Sequence, residues 1–113
     1  MVARNSLLMA PPYPVEQTLK KLGRNLRLAR LRRKKTIAEV AEKIGTGTRA
    51  VRDAESGKAS TGIAVYIALL WLYDLLQSFE DLANPFKDQE GLALVVTKGN
   101  MRARKSGGID NDF

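Results

Sequence analysis

Two arginines, Arg49 and Arg52, stand three positions apart in a segment that has the pattern of a short helix. At this spacing both side chains lie on one side of a helix. A guanidinium group can donate two hydrogen bonds to O6 and N7 of a guanine, which distinguishes that base from the others. A contact with phosphate or with solvent is the alternative for each arginine. With their two flanking polar residues, the candidates for reading DNA bases are Thr48, Arg49, Arg52 and Asp53.

A second group of polar residues occupies predicted helix ends and turns around this segment. Helix N-termini and turns present free amide groups beside short or flexible side chains, and both can bind phosphate oxygens. The candidates for phosphate contacts are Thr36, Lys43, Thr46, Lys58 and Ser60.

The charge of the chain favours a polyanionic partner. The 113 residues include 19 Lys and Arg against 12 Asp and Glu, which gives a net charge of +7. The excess lies in residues 1–58, with 14 basic and 5 acidic side chains, whereas residues 59–113 hold 5 and 7. A basic half suits a nucleic acid, and an apolar, acidic half suits a protein contact. A merely solvated basic surface is the alternative.

The composition also excludes several classes of function. Cys and His are both absent, which removes disulfides, thiol nucleophiles, histidine bases and nearly every zinc site. No pair of carboxylates or lysines stands out, so we expect a protein that is not an enzyme and needs no cofactor or metal. The apolar run at residues 63–73 is shorter than the ~20 residues of a membrane helix. The N-terminus does not have the pattern of a signal peptide, so we expect a bacterial cytoplasmic location, on the nucleoid when bound to DNA.

The elements that must position the candidate residues are predicted to be helices. Apolar residues at steps of three and four predict an amphipathic helix over residues 15–33. Prolines before it predict an extended arm over residues 1–14. Shorter helices are predicted over residues 36–45, 48–56, 61–73 and 75–83, the fourth of the five helices being capped by Ser60 or Thr61.

The second and third predicted helices form the central motif. Thr36 and Glu39 have the spacing of a capping box, and Gly45 is a left-handed stop. A short helix, a glycine-centred connection and a second short helix with an internal apolar residue, Val51, have the spacing of a helix-turn-helix. A generic small helical bundle is the alternative.

This stretch resembles the xenobiotic-response-element (XRE), or lambda/434-repressor-like, class of DNA-binding domains. The resemblance rests on the run T-x-x-E-V-A-x-x-x-G that ends at Gly45 and on Val51 followed by E-S-G-K at residues 55–58, and it extends over residues 17–83. It implies an all-α, five-helix, lambda-repressor-like domain. It also implies a structural ion pair between Arg30 and Glu55. The sequence departs from the family in having Ile37 where Gln is usual and Gly47 where Ser or Thr is usual.

Residues 69–94 are similar to the HipB-like antitoxins that are encoded beside HipA-like kinase toxins. The similarity consists of a leucine-rich helix pair, an Asn-Pro and the run D-x-x-G-L-A-L. It implies a repressor that regulates its own operon and binds a HipA-like serine/threonine kinase. The alternatives are a stand-alone repressor, such as one from a phage, and a small basic RNA-binding protein. The RNA-binding class is disfavoured, because the aromatic stacking residues and the Gly-X-X-Gly clamp of such modules are missing.

The C-terminal half is predicted to carry a protein interface. Residues 63–82 hold more large apolar side chains than one buried face accommodates, and a homodimer explains the surplus. The interface candidates, for which a place in the core is the alternative, are Trp71, Leu75, Leu76 and Phe79. The predicted domain covers residues 15–85, with an extension over residues 86–113. Within it, residues 92–96 are assigned to a short strand because they are rich in β-branched residues, with a core-covering patch or a continued helix as alternatives. A basic flexible tail is expected after them.

Overall fold

The computed structural model describes the backbone of residues 5–105 and the side chains of residues 5–98. The α-helices in this part of the chain are α1 Ser6–Met9, α2 Tyr13–Arg32, α3 Ile37–Ile44, α4 Thr48–Glu55, α5 Ile63–Leu72, α6 Leu76–Glu80 and α7 Gln89–Lys105, and Pro85–Lys87 forms a turn of 3-10 helix. The all-α class is therefore confirmed. The described residues form seven α-helices, whereas the sequence predicted five. None of these helices is both long enough and apolar enough to cross a membrane.

The helix α2 carries the apolar stripe that the sequence predicts. Leu26 and Ala29 are buried, and Leu19 and Leu22 pack against the same core. Burial of this stripe stabilises α2 far more than the intrinsic helix preference of its residues does.

The N-terminal arm differs from the prediction. It is not extended throughout, because residues 6–9 form α1, where the Asn5 side chain accepts hydrogen bonds from the backbone N–H groups of Leu7 and Leu8. The helix α2 begins at Tyr13, two residues earlier than predicted, with Pro14 in its first turn. Proline is favoured there because its fixed φ suits a helix and its missing N–H has no partner in a first turn. Residues 1–4 of the predicted arm lie outside the described part.

The N-terminus of α3 is closed by the predicted capping box. The Glu39 N–H donates to Thr36 Oγ1 at 3.1 Å, and the Thr36 N–H donates to Glu39 Oε1 at 2.8 Å. The bond from the Thr36 backbone lowers the pKa of the Glu39 carboxyl. At the other end Gly45 has φ of 80°, a left-handed conformation that glycine adopts without strain. The turn that leads from α3 to α4 is thus determined by local sequence.

The core lies where α2, α3, α4 and α5 meet. The short helix α4 contributes Val51 and Ala54, and neither has any exposed surface. The helix α5 contributes Tyr66 and Leu69 to the same cluster. The buried apolar residues are Leu26, Ala29, Val40, Ala41, Val51, Ala54, Tyr66, Leu69, Leu70 and Tyr73.

The end of α4 lies very close to α2 at Gly23. A Cβ atom on this residue would lie 2.5 Å from the Glu55 carbonyl oxygen and 2.7 Å from that of Ala54. Real side chains do not reach such distances, so only glycine allows the end of α4 to rest on α2. Gly23 therefore sets how closely the end of α4 can pack against α2.

Beyond α4 the boundaries differ from those predicted. The N-cap of α5 is Gly62, with φ of −64° and ψ of 143°, and neither Ser60 nor Thr61 occupies that position. The helix α6 spans only Leu76–Glu80, because the chain leaves the helical conformation before Ala83, where φ is 58°. Asn84 then caps the 3-10 turn, its side chain accepting from the Phe86 N–H at 2.9 Å.

The chain divides into two compact units, with Glu80 as the last residue of the first and Asp81 as the first residue of the second. In the second unit α7 packs on the 3-10 turn. The expected strand at residues 92–96 is wrong, since these residues lie within α7, and the tail continues as helix to Lys105. Asp88 favours the helix because its side chain accepts from the Gly91 N–H at 3.0 Å, as N-cap residues do. An isolated strand would have left its backbone groups unpaired. The rest of the expected tail lies outside the described residues.

Candidate nucleic-acid interface

The helix α4 presents one buried side and one exposed side. Val51 and Ala54 hold the buried side in the core. On the other side Arg49 has 80% of its side chain exposed. Arg52 is also exposed, and its Nη1 approaches Thr48 Oγ1 at 3.4 Å. Both guanidinium groups can therefore reach a ligand that lies along α4.

A buried ion pair joins α4 to α2, as the resemblance implies. Arg30 Nε donates to Glu55 Oε2 at 2.7 Å, and Arg30 Nη2 donates to Glu55 Oε1 at 2.9 Å. The two side chains are only 9% and 7% exposed. A third bond runs from Arg30 Nη1 to the Lys35 carbonyl oxygen at 3.0 Å. Hydrogen bonding to Glu55 raises the pKa of Arg30. Both carboxylate oxygens of Glu55 are therefore used in this pair.

Asp53 lies between two cations. Arg49 Nε is 3.8 Å from its Oδ1, and Lys58 Nζ is 3.9 Å from its Oδ2. Its side chain is 26% exposed. Of the residues expected to read bases, the structure therefore brings Asp53 together with Arg49 and brings Thr48 together with Arg52.

The candidates for phosphate contacts occupy several places. Thr36 is the N-cap of α3, and Thr46 lies in the turn before α4, where its N–H donates to the Ala41 carbonyl oxygen at 2.9 Å. Lys58 and Ser60 lie in the connection from α4 to α5, and both are exposed.

Lys43 lies beside a cavity. It is in the last turn of α3 and lines a cavity of about 540 Å³ together with Arg33 and Lys35 from the end of α2 and Tyr73 after α5. In the same region Arg33 Nη2 donates to the Tyr73 carbonyl oxygen at 3.0 Å, and the guanidinium carbon lies 5.2 Å from the centre of the Tyr73 ring. Lys43 therefore shares its surroundings with the ends of α2 and α5.

Two residues that position this surface were missed by the sequence analysis. The Tyr66 side chain is buried, and its hydroxyl donates to the Lys58 carbonyl oxygen at 3.3 Å. Burial raises the pKa of this tyrosine. It lies within an unbroken apolar run, which gave no sign of a polar role. Gly23 is the other, and a glycine within the apolar stripe of a helix is the signal that could have identified it.

The four candidates for a dimer interface divide into two pairs. Trp71 is 62% exposed and Leu75 is 45% exposed, so a single copy leaves much of their apolar surface in water. Leu76 and Phe79 are partly buried and pack against the core. The first pair is thus available to a partner, and the second pair serves the domain itself.

A known protein family matches the part of the chain that contains these helices. The Helix-turn-helix family model HTH_3 matches residues 26–73, which covers the last seven residues of α2 and all of α3, α4 and α5. No curated protein and no solved structure matches the chain. The family match supports an XRE-like helix-turn-helix domain in residues 26–73, of the kind that DNA-binding transcription regulators carry.

Proposed function

We propose that this protein is a sequence-specific transcriptional repressor that reads its operator with Thr48, Arg49 and Arg52. The observation that carries the proposal is the placement of α4, whose underside is fixed by the Arg30–Glu55 pair while its two arginines are exposed. A guanidinium group held on a rigid helix can form the paired hydrogen bonds that identify guanine. Thr36, Lys43, Thr46, Lys58 and Ser60 are proposed to contact phosphates and so to fix the register of α4 on the duplex.

The test is binding to duplex DNA that the protein itself selects from a random-sequence library. Titration of the selected duplex and of a scrambled duplex of equal length and composition should give affinities that differ by about a thousandfold or more. Equal affinities would show a sequence-independent nucleic-acid-binding protein. Absence of duplex binding would contradict the regulator function as a whole.

The repressor is further proposed to act as a homodimer. Operators are commonly read in two halves, and a dimer supplies two copies of α4 related by a two-fold axis. The exposed apolar surface at Trp71 and Leu75 supports a contact between copies at the C-terminal end of α5. Residues 59–96 are apolar and acidic, with 1 basic against 5 acidic side chains, which suits a protein contact better than a DNA contact.

Finally, we propose that the protein is the antitoxin of a HipBA-like operon, with a HipA-like serine/threonine kinase as its partner. The similarity of residues 69–94 to HipB-like antitoxins supports this partner. The second unit also offers exposed apolar side chains for a protein contact, such as Phe86 at 85% and Val95 at 66% exposure.

Co-expression tests the antitoxin function. The kinase encoded by the neighbouring gene should arrest growth alone, and this protein should relieve the arrest and purify with the kinase. A neighbouring gene that encodes no kinase, or a kinase that is neither bound nor neutralised, would leave a stand-alone repressor.

A further inference from the structure

We propose that Asp53 is a positioning residue that holds Arg49 and Lys58 in a fixed relation to each other and thereby sets the discrimination between DNA sequences. In this role Asp53 does not read a base itself. The inference rests on the proposed function, because it assumes that α4 and the following connection contact DNA.

The two carboxylate oxygens of Asp53 face different cations. Oδ1 lies 3.8 Å from Arg49 Nε, one turn earlier on α4, and Oδ2 lies 3.9 Å from Lys58 Nζ, beyond the end of the helix. One carboxylate thus connects a proposed base-reading side chain with a proposed phosphate-binding side chain. Both ion pairs therefore depend on the same carboxylate.

The surroundings of Asp53 favour positioning over base reading. Its side chain is 26% exposed, whereas that of Arg49 is 80% exposed and that of Lys58 is 51% exposed. The two cations therefore extend further into solvent than the carboxylate that they share. An acidic residue reading cytosine would have to approach the bases with both oxygens already facing cations, between rows of phosphates that repel it.

The backbone around Asp53 is fixed independently of its carboxylate. The Lys58 N–H donates to the Asp53 carbonyl oxygen at 3.0 Å, and the Tyr66 hydroxyl donates to the Lys58 carbonyl oxygen at 3.3 Å. Both bonds remain when Asp53 is replaced by Asn. Exposed ion pairs also contribute little to stability. The Asn variant therefore separates the role of the carboxylate from that of the fold.

Removing the carboxylate releases two cations at once. A freed ammonium or guanidinium group can neutralise phosphates on any sequence, which strengthens non-specific binding and makes it more dependent on salt. A guanidinium group that is no longer oriented also loses part of its preference for guanine. Both effects reduce discrimination, although the total positive charge on α4 is unchanged.

The experiment compares the selected duplex with a scrambled duplex at two salt concentrations. For Asp53→Asn we expect the ratio of the two affinities to fall about fivefold, as expected from partial loss of one arginine–guanine contact. The slope of log K against log salt on scrambled DNA should become steeper by up to about one unit. Asp53→Glu, which keeps the charge, should retain most of the discrimination. The matched control is Glu80→Gln on α6, which changes the net charge equally and should leave the ratio as in the parent.

A double variant identifies the route of the effect. Once Asp53 is replaced by Asn, the further change Arg49→Ala should reduce the affinity ratio much less than it does in the parent. An unchanged ratio in Asp53→Asn, or a loss that follows a lowered melting temperature, would overturn the inference. Full additivity of the two changes would assign Asp53 a base of its own and would overturn it as well. In all these cases the parent still prefers its selected duplex, whereas a parent without any preference would contradict the proposed function instead.

Discussion

At the scale of single residues, the arginines of the domain divide by burial. Arg30 is buried and its side chain donates three hydrogen bonds within the fold, two of them to Glu55. Arg49 is largely exposed. A buried guanidinium group must keep its partner because water cannot replace it, whereas an exposed one can exchange water for a base or a phosphate. Their different surroundings give the first a place in the fold and leave the second free for the recognition role proposed above.

Glu55→Gln should lower the melting temperature before it alters DNA preference. The substitution removes the charge that compensates Arg30, and breaking one side of a buried ion pair costs about 3–5 kcal/mol. Thermal unfolding followed by circular dichroism measures the effect, with Glu80→Gln as an exposed control. A variant that melts like the parent but loses base discrimination would assign Glu55 to DNA recognition.

Arg49→Ala and Lys58→Ala should weaken DNA binding in different ways. Loss of Arg49 should reduce affinity for the selected duplex by about 1–3 kcal/mol and affect scrambled DNA much less. Loss of Lys58 should weaken both complexes alike and reduce the salt slope by about one unit. Equal losses on both duplexes for Arg49→Ala would make that residue a backbone contact.

At the scale of elements, a helix boundary or contact could be predicted from the sequence where the residues that determine it are close together in the chain. The start of α3 was predicted because Thr36 and Glu39, only three positions apart, form the reciprocal hydrogen bonds of the capping box. The Arg30–Glu55 pair followed from the family resemblance. In contrast, the close contact of Gly23 with the end of α4 joins residues more than thirty positions apart. A local sequence pattern does not reveal a contact between residues so far apart in the chain. The strand expected from Val95 and Val96 was wrong because β preference depends on cross-strand neighbours, which these residues lack within a helix.

Gly23→Ala should destabilise the domain although it raises the helix preference of α2. The added methyl group would meet the carbonyl oxygens of Glu55 and Ala54, and such overpacking costs about 1–3 kcal/mol. Chemical denaturation measures this free energy of unfolding. Asn25→Ala is the matched control, since it also raises the helix preference of α2 but at an exposed position. Equal behaviour of the two variants would contradict the close approach.

The capping box should make the stability of α3 dependent on pH. Because the folded-state pKa of Glu39 is lowered, the contribution is complete above the ordinary pKa of glutamate and is lost as the pH falls through the folded value. The parent should therefore be more stable than Glu39→Gln at neutral pH, and the difference should shrink in acid. A difference in unfolding free energy that stays constant from neutral pH to about pH 3 would exclude this carboxylate as the source.

At the scale of the whole molecule, the exposed apolar surface of the first unit is the feature that the proposed homodimer would cover. Trp71 lies in the last turn of α5 and Leu75 lies just after it, and both residues are exposed in a single chain. The sequence left a place in the core as the alternative for Trp71. Because 62% of this residue is exposed, Trp71 is not a core residue of the single chain. Light scattering at micromolar concentration should accordingly give about twice the chain mass of 12.5 kDa.

Trp71→Ala should weaken the dimer and leave each copy folded. The loss of a central aromatic side chain commonly costs an interface about 2 kcal/mol or more, whereas an exposed substitution changes folding stability by about 0.5 kcal/mol or less. Sedimentation at several concentrations separates the two effects. Phe86→Ala serves as a control because this exposed aromatic residue lies outside residues 63–82, and identical association of both variants would place the interface elsewhere.

The bond from Tyr66 to the Lys58 carbonyl oxygen has a consequence for how such a regulator changes over evolution. The anchor holds a main-chain atom, and every amino acid supplies that atom. Position 58 can thus acquire a neutral or acidic side chain while the connection keeps its shape. Under the proposed phosphate contact of Lys58, single mutations at this position would then adjust the tightness of operator binding without endangering folding. The same freedom would give a designer of the proposed repressor one position at which to retune how strongly its promoter is silenced.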